Sequence, residues 1–60
     1  MPIYGIINKD NILIDISKSK KYTKRYATIH GYNKIGCRNV NSYNAVTICE
    51  KIGNKWIDLP

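Results

Sequence analysis

Phenylalanine is absent from this chain of 60 residues, and carboxylates are scarce, with Asp10, Asp15, Glu50 and Asp58 standing against ten Lys and Arg. With one histidine, a nucleophile, base and orienting acid would have to be assembled from His30 and one of those four groups, and no sharp-turn motif supports such a set. Asp10 reads as a turn residue and the other three acids as surface charges, so we expect no enzyme. Cys37 and Cys49 form no CxxC pair, and together with His30 they fall short of the four ligands of a structural zinc site. The glycines, Gly5, Gly31, Gly36 and Gly53, are scattered singly, which excludes a Gly-rich phosphate loop. Neither metal nor cofactor is expected. No stretch approaches the ~20 apolar residues of a membrane span, and "MPIYGIINKD" lacks the basic segment and long apolar core of a signal peptide. The expectation is therefore a cytoplasmic protein without membrane contact, in which both cysteines are reduced thiols rather than a disulfide. The lack of phenylalanine leaves tyrosine to supply aromatic volume to the core.

Length sets a further bound. A chain this short is one small domain, residues 1–60, that buries only roughly 60% of the surface its unfolded form exposes. Its core supplies no more than about 3–5 kcal/mol of net stability, too little to frame a deep catalytic or cofactor cavity. Function belongs on the surface.

What the chain does have is positive charge. The net charge is +6 and the pI about 9.6, a field that attracts nucleic acid, anionic membranes or acidic protein faces. Charge of this kind also serves plain solubility. Ile, Lys, Asn and Tyr, all read from AT-rich codons, make up 31 of the 60 residues. That bias suits an accessory protein of a virus or mobile element.

The pattern of apolar residues is mainly β. "IYGIINKDNILIDI" reads as two strands around the turn-forming "NKDN". Pairing Ile7 with Ile12 would put Ile3, Gly5, Ile7, Ile12, Ile14 and Ile16 on one face. "VTICEKIGNKWIDL" reads as a second hairpin, with Gly53-Asn54 as a type II′ turn and Lys51 opposite Trp56 on the outer face, where a cation–π contact could form. Val46, Ile48, Ile52, Ile57 and Leu59 would share the other face. A helix from Ser42 to Ile52 is the competing reading, disfavoured by the β-branched run Val46-Thr47-Ile48. In "YTKRYATIH", Tyr22, Lys24, Tyr26, Thr28 and His30 alternate as on a strand, while Tyr22, Tyr26 and Ile29 also fit a helix between a serine and Gly31. Alternation tips the expectation to strand by a small margin. "YNKIGCRNV" continues as a strand, with Gly36 at a bulge or close approach. The expected fold is a small antiparallel meander, or an SH3/OB-like barrel, of four to five strands with room for one short helix.

"SKSKKYTKRYATIHGY", residues 17 to 32, contains four of the eight lysines, three of the five tyrosines and the histidine. Cations neutralise phosphates and release counterions, and aromatic rings stack on bases. On a strand, Tyr22, Tyr26 and His30 would form a platform around Lys24, surrounded by Lys20, Lys21, Arg25, Lys34 and Arg38. These nine residues are the candidate site for nucleic acid or another anionic partner. Against this, Tyr22, Tyr26 and Tyr32 are also candidate core residues. Trp56 is the candidate anchor for a protein partner or a plain hairpin support. "IDISKSKK", residues 14 to 21, resembles the start of the second half of the small archaeal chromatin proteins that coat DNA with an SH3-like barrel. The similarity covers eight residues, and Thr23 stands where that family has a DNA-facing tryptophan.

Two functional readings follow. One is a non-enzymatic basic domain that binds nucleic acid through the Lys/Arg/Tyr surface around residues 18–38, largely by phosphate contact. The other is an inhibitor or adaptor that docks on an acidic, nucleic-acid-handling host protein through strand edges or Trp56. Exposed edges also make a homodimer available.

Overall fold

The computed structural model describes residues 1–60 as five strands and one helix: β1 Pro2–Ile7, β2 Leu13–Ser17, α1 Lys20–His30, β3 Lys34–Asn39, β4 Val46–Ile52 and β5 Lys55–Asp58. The strands form one antiparallel sheet in the order β2-β1-β3-β4-β5. The fold is thus mainly β with one short helix, and β3, β4 and β5 form a meander. The sheet stays open, with β2 and β5 as its edges, and does not close into a barrel. Strands β2 and β3 flank β1 on opposite sides, so the chain between them must cross over it. Helix α1 makes that crossing.

The first hairpin forms where expected, but its register differs by one residue. Ile7 pairs with Leu13 and Ile6 with Ile14. The loop is longer than "NKDN" implies because Asn8 organises it through Ile12. The Asn8 N–H donates to the Ile12 carbonyl at 3.1 Å, and the Asn8 side-chain oxygen accepts from the N–H groups of Asp10 and Ile12 at 2.9 and 3.0 Å. A one-residue shift moves a whole strand's side chains to the other face. Ile16 therefore packs with Ile6 on the core side, while Ile3, Gly5 and Ile7 face the opposite way with Leu13 and Asp15.

Residues 20–30 form a helix, which corrects the preference for strand. Its ends explain why. The Ser19 backbone is extended, with φ −110° and ψ 120°, and its hydroxyl accepts from the Tyr22 N–H at 3.1 Å, as N-cap serines do. At the other end Gly31 takes the left-handed conformation, φ 81°. The Tyr32 and Gly31 N–H groups then bond back to the carbonyls of Ala27 and Thr28 at 2.8 and 3.4 Å, a Schellman closure. Only Thr23 and Ala27 are fully buried on this helix, four residues apart and small. They let α1 lie close on β1, β2 and β3. The Thr23 hydroxyl, buried with Ala27, donates to the Ser19 carbonyl at 2.8 Å and lies 2.9 Å from the Ser17 hydroxyl.

The second hairpin has the expected two-residue turn, with Gly53 at φ 64°, and Lys51 stands opposite Trp56 as expected. The face is different. A register shift after Ile35, where Gly36 lies close to the Val46 carbonyl, brings Ile48 onto the core side along with Cys49 and Trp56. Ile57, opposite Glu50, faces away. The expected shared face of Val46, Ile48, Ile52, Ile57 and Leu59 therefore does not form, and Trp56 lies on the helix side of the sheet. The cation placed over an aromatic ring is Arg38, 5.2 Å from the Tyr43 ring centroid.

The core is Ile6, Ala27, Ile35 and Cys49, supported by half-buried Ile16, Tyr26, Tyr32, Ile48 and Trp56. Eight of 60 residues are buried, so the molecule presents surfaces rather than an enclosed chamber. Cys37 and Cys49 are free thiols.

Candidate functional site

The basic stretch folds as the Ser19 cap followed by α1. At 100° per residue, burial of Thr23 and Ala27 sends Lys21 and Arg25 outward to solvent, with Tyr22 and Ile29 beside them. Tyr22 is 56% exposed and Ile29 67%. Lys20 and Lys24 lie along the flank nearest β5. Tyr26 and His30 occupy the opposite flank with ring centroids 4.2 Å apart, tilted at 33°. Tyr26 and Tyr32 also lean on the core, so those two tyrosines serve packing first. Lys18, exposed in the loop before the cap, extends the cationic surface. The sequence contains no carboxylate between Asp15 and Glu50, and the first helical turn has none. Lys20 and Lys21 therefore stand against the positive end of the helix dipole, an arrangement that opposes helix stability.

Lys34 and Arg38 are elsewhere. Ile35 points into the core, so the neighbouring Lys34 faces the side of the sheet away from α1. Arg38 faces that side too, and it is committed there. Its Nε and Nη2 donate to the two carboxylate oxygens of Asp15 at 3.2 and 2.7 Å, and its Nη1 donates to the carbonyls of Asn39, Val40 and Ser42 at 3.3, 3.5 and 3.1 Å. The guanidinium holds the Asp15 carboxyl below the usual carboxylate range. Of the nine candidates, the helix brings together Lys20, Lys21, Tyr22, Lys24, Arg25, Tyr26 and His30. Lys34 and Arg38 stand apart.

Because α1 covers β1, β2 and β3, the helix side of β4 and β5 lies beside the helix rather than beneath it. Alternation puts Cys49, Lys51, Trp56 and Asp58 on this ledge. The Trp56 ring N–H donates to the Thr28 hydroxyl at 3.2 Å. At the other end, Asp58 accepts from the Cys49 thiol at 3.0 Å and from Lys20 at 3.3 Å. The thiol's hydrogen bond is the main cause that lowers the Asp58 carboxyl pKa, followed by Lys20. Burial, then the same bond to Asp58, pushes the Cys49 thiol up. The bond from the Cys49 thiol to the Asp58 carboxylate joins two paired residues of β4 and β5.

The nine candidate residues do not include Lys18 and Thr28, which lie inside the expected 18–38 surface, or Lys51, which lies outside it. The pairing of Lys51 with Trp56 was readable. That both side chains turn toward the helix was not. No three His, Cys, Asp or Glu side chains gather to hold a metal ion. Two open hollows exist away from the helix cations, one between the Asn8–Asn11 loop and Gly31–Lys34, the other between Leu13, Arg38 and Tyr43. No helix is long and apolar enough to cross a membrane. Comparison with family models, curated proteins and solved structures returns no match.

Proposed function

We propose that this protein is a non-enzymatic nucleic-acid-binding domain whose contact surface is the outer side of α1. The single observation that carries the reading is a solvent-facing helix with Lys21, Lys24 and Arg25 exposed or half-exposed and with no acidic residue anywhere from Ile16 to Cys49. A surface that tolerates unfavourable lysines at its own helix N-terminus fits a function that needs them. Phosphate neutralisation supplies most of the affinity and little sequence selectivity. Lys20 contributes less, since Asp58 engages it, and Arg38 contributes to folding through Asp15.

Salt titration tests this. The logarithm of affinity should fall linearly with the logarithm of salt, and the Lys24→Gln, Arg25→Gln double variant should shallow the slope by roughly 2. A flat salt response removes the proposal.

A second reading is an inhibitor or adaptor of a virus or mobile element that docks on an acidic host protein surface. The observation favouring it is the placement of exposed Tyr22 and Ile29 beside exposed Arg25 on the helix, since Tyr and Arg are enriched at protein interfaces. Pull-down from nuclease-treated host lysate should then recover one stoichiometric partner, lost on Ile29→Glu. An empty pull-down counts against it.

A further inference from the structure

We propose that the ledge between α1 and the β4–β5 hairpin is a track for single-stranded nucleic acid, with Trp56 as the ring on which a base stacks. The proposal deepens the reading above and rests on it.

Lys20, Lys24 and Thr28 recur every fourth residue, so they form one line along the helix flank. Lys51 and Trp56, a cross-strand pair, lie along the facing floor. The line from Lys20 to Thr28 is about 12 Å long at the helical rise, the span of three to four nucleotides stacked about 3.4 Å apart. Charge is graded along it. At the Lys20 end the Asp58 carboxylate is already engaged by a thiol and an ammonium. Toward Trp56, Lys24 and Lys51 have no acidic partner within ion-pair distance.

The indole is held ready. Its N–H is tied to Thr28 in a hydrogen bond at the exposed surface, its body leans on the core, and the residue as a whole is half-buried. Fixing the ring in advance removes the ordering cost that a mobile side chain would incur on binding. Stacking on that ring requires an unpaired base. A duplex keeps its bases stacked inside and would meet only the lysines. The preference for single strands therefore comes from Trp56, and the salt dependence from the cations.

Trp56 is the one tryptophan of the chain, so its emission reports on the ledge alone. The full chain is titrated at roughly 50 mM salt with end-labelled oligo-dT of about 12 nucleotides and with a duplex of equal length. Label anisotropy and Trp56 emission are read together. Oligo-dT should bind roughly tenfold more tightly than duplex and quench Trp56. Trp56→Leu should weaken oligo-dT binding roughly tenfold or more while leaving the salt slope unchanged. The quench on the native chain needs no variant, so the test stands even if Trp56→Leu does not fold. Equal affinity for duplex, or unchanged emission at saturation with oligo-dT, overturns the ledge and leaves the helix reading standing. Binding of neither probe removes both.

Discussion

Arg38 on β3 grips Asp15 on β2 across the strand between them, with its Nε and Nη2 at 3.2 and 2.7 Å from the two carboxylate oxygens. The β1 residue opposite Asp15 is Gly5, which has no side chain to stand in the way. The Arg38 side chain is 15% exposed, and its remaining nitrogen holds the carbonyls that lead into the β3–β4 loop. Arg38→Ala should lower the melting temperature by roughly 4–8 °C. It should also leave the salt slope of nucleic-acid binding within error of the parent, unlike Lys24→Gln. A reduced slope would return Arg38 to the contact surface.

The ion pairs and the buried thiol predict how stability varies with pH. Hydrogen bonds from Arg38 lower the Asp15 carboxyl, and the Cys49 thiol and Lys20 lower that of Asp58. The unfolded chain binds these protons more readily, so their stabilisation is present above about pH 4 and is lost as pH falls through the lower folded values. Burial raises the Cys49 thiol, whose contribution is present below about pH 8.5 and is lost as pH rises through its folded value. Urea midpoints should be flat between about pH 5 and 8 and fall on either side. Asp15→Asn should flatten the acid limb and Cys49→Ser the alkaline limb. An acid limb unaltered in Asp15→Asn would contradict the assignment.

Lys21 separates stability from binding. It is exposed in the first turn of α1, where a negative side chain is favoured by about 0.3–1 kcal/mol over a neutral one. Lys21→Glu should therefore raise the melting temperature by a few degrees and weaken nucleic-acid binding roughly tenfold or more. Thermal melts and anisotropy titrations on one preparation read both effects. Loss of stability together with binding would mean that Lys21 supports the fold.

Ala27 measures how closely the helix lies on the sheet. It is 0% exposed and belongs to the central cluster with Ile6, Ile35 and Cys49. Ala27→Leu adds volume at a contact with no spare space and should cost about 1–3 kcal/mol, read as a lower urea midpoint. A neutral effect would show that α1 can lift from β1.

Much of the fold was legible because strands and turns announce themselves locally. The β-branched runs around Gly53-Asn54 specified the second hairpin and its pairing of Lys51 with Trp56, and the Val46-Thr47-Ile48 run outweighed the helical reading of the same segment. The helix was harder. Its buried stripe is only Thr23 and Ala27, neither strongly apolar, so the alternation of Tyr22, Tyr26 and His30 masked it. The signals that settle it are its caps, Ser19 and Gly31. The slip in the first hairpin has a similar origin, since apolar side chains occupy both Ile12 and Leu13 and composition does not choose between them. Asn8 chooses, by closing the loop onto Ile12.

The sequence by itself determined a small, cationic, mainly β molecule and the crowding of positive charge between Ser17 and Tyr32. These follow from composition and from neighbours along the chain. Only the tertiary structure decided that Arg38 answers Asp15, that Lys34 faces away from the helix, and that Trp56 lies beside Thr28. Each of those depends on which side of the sheet α1 covers. That side is chosen by packing between residues distant in the chain, where Thr23 and Ala27 are small enough to let helix and sheet meet.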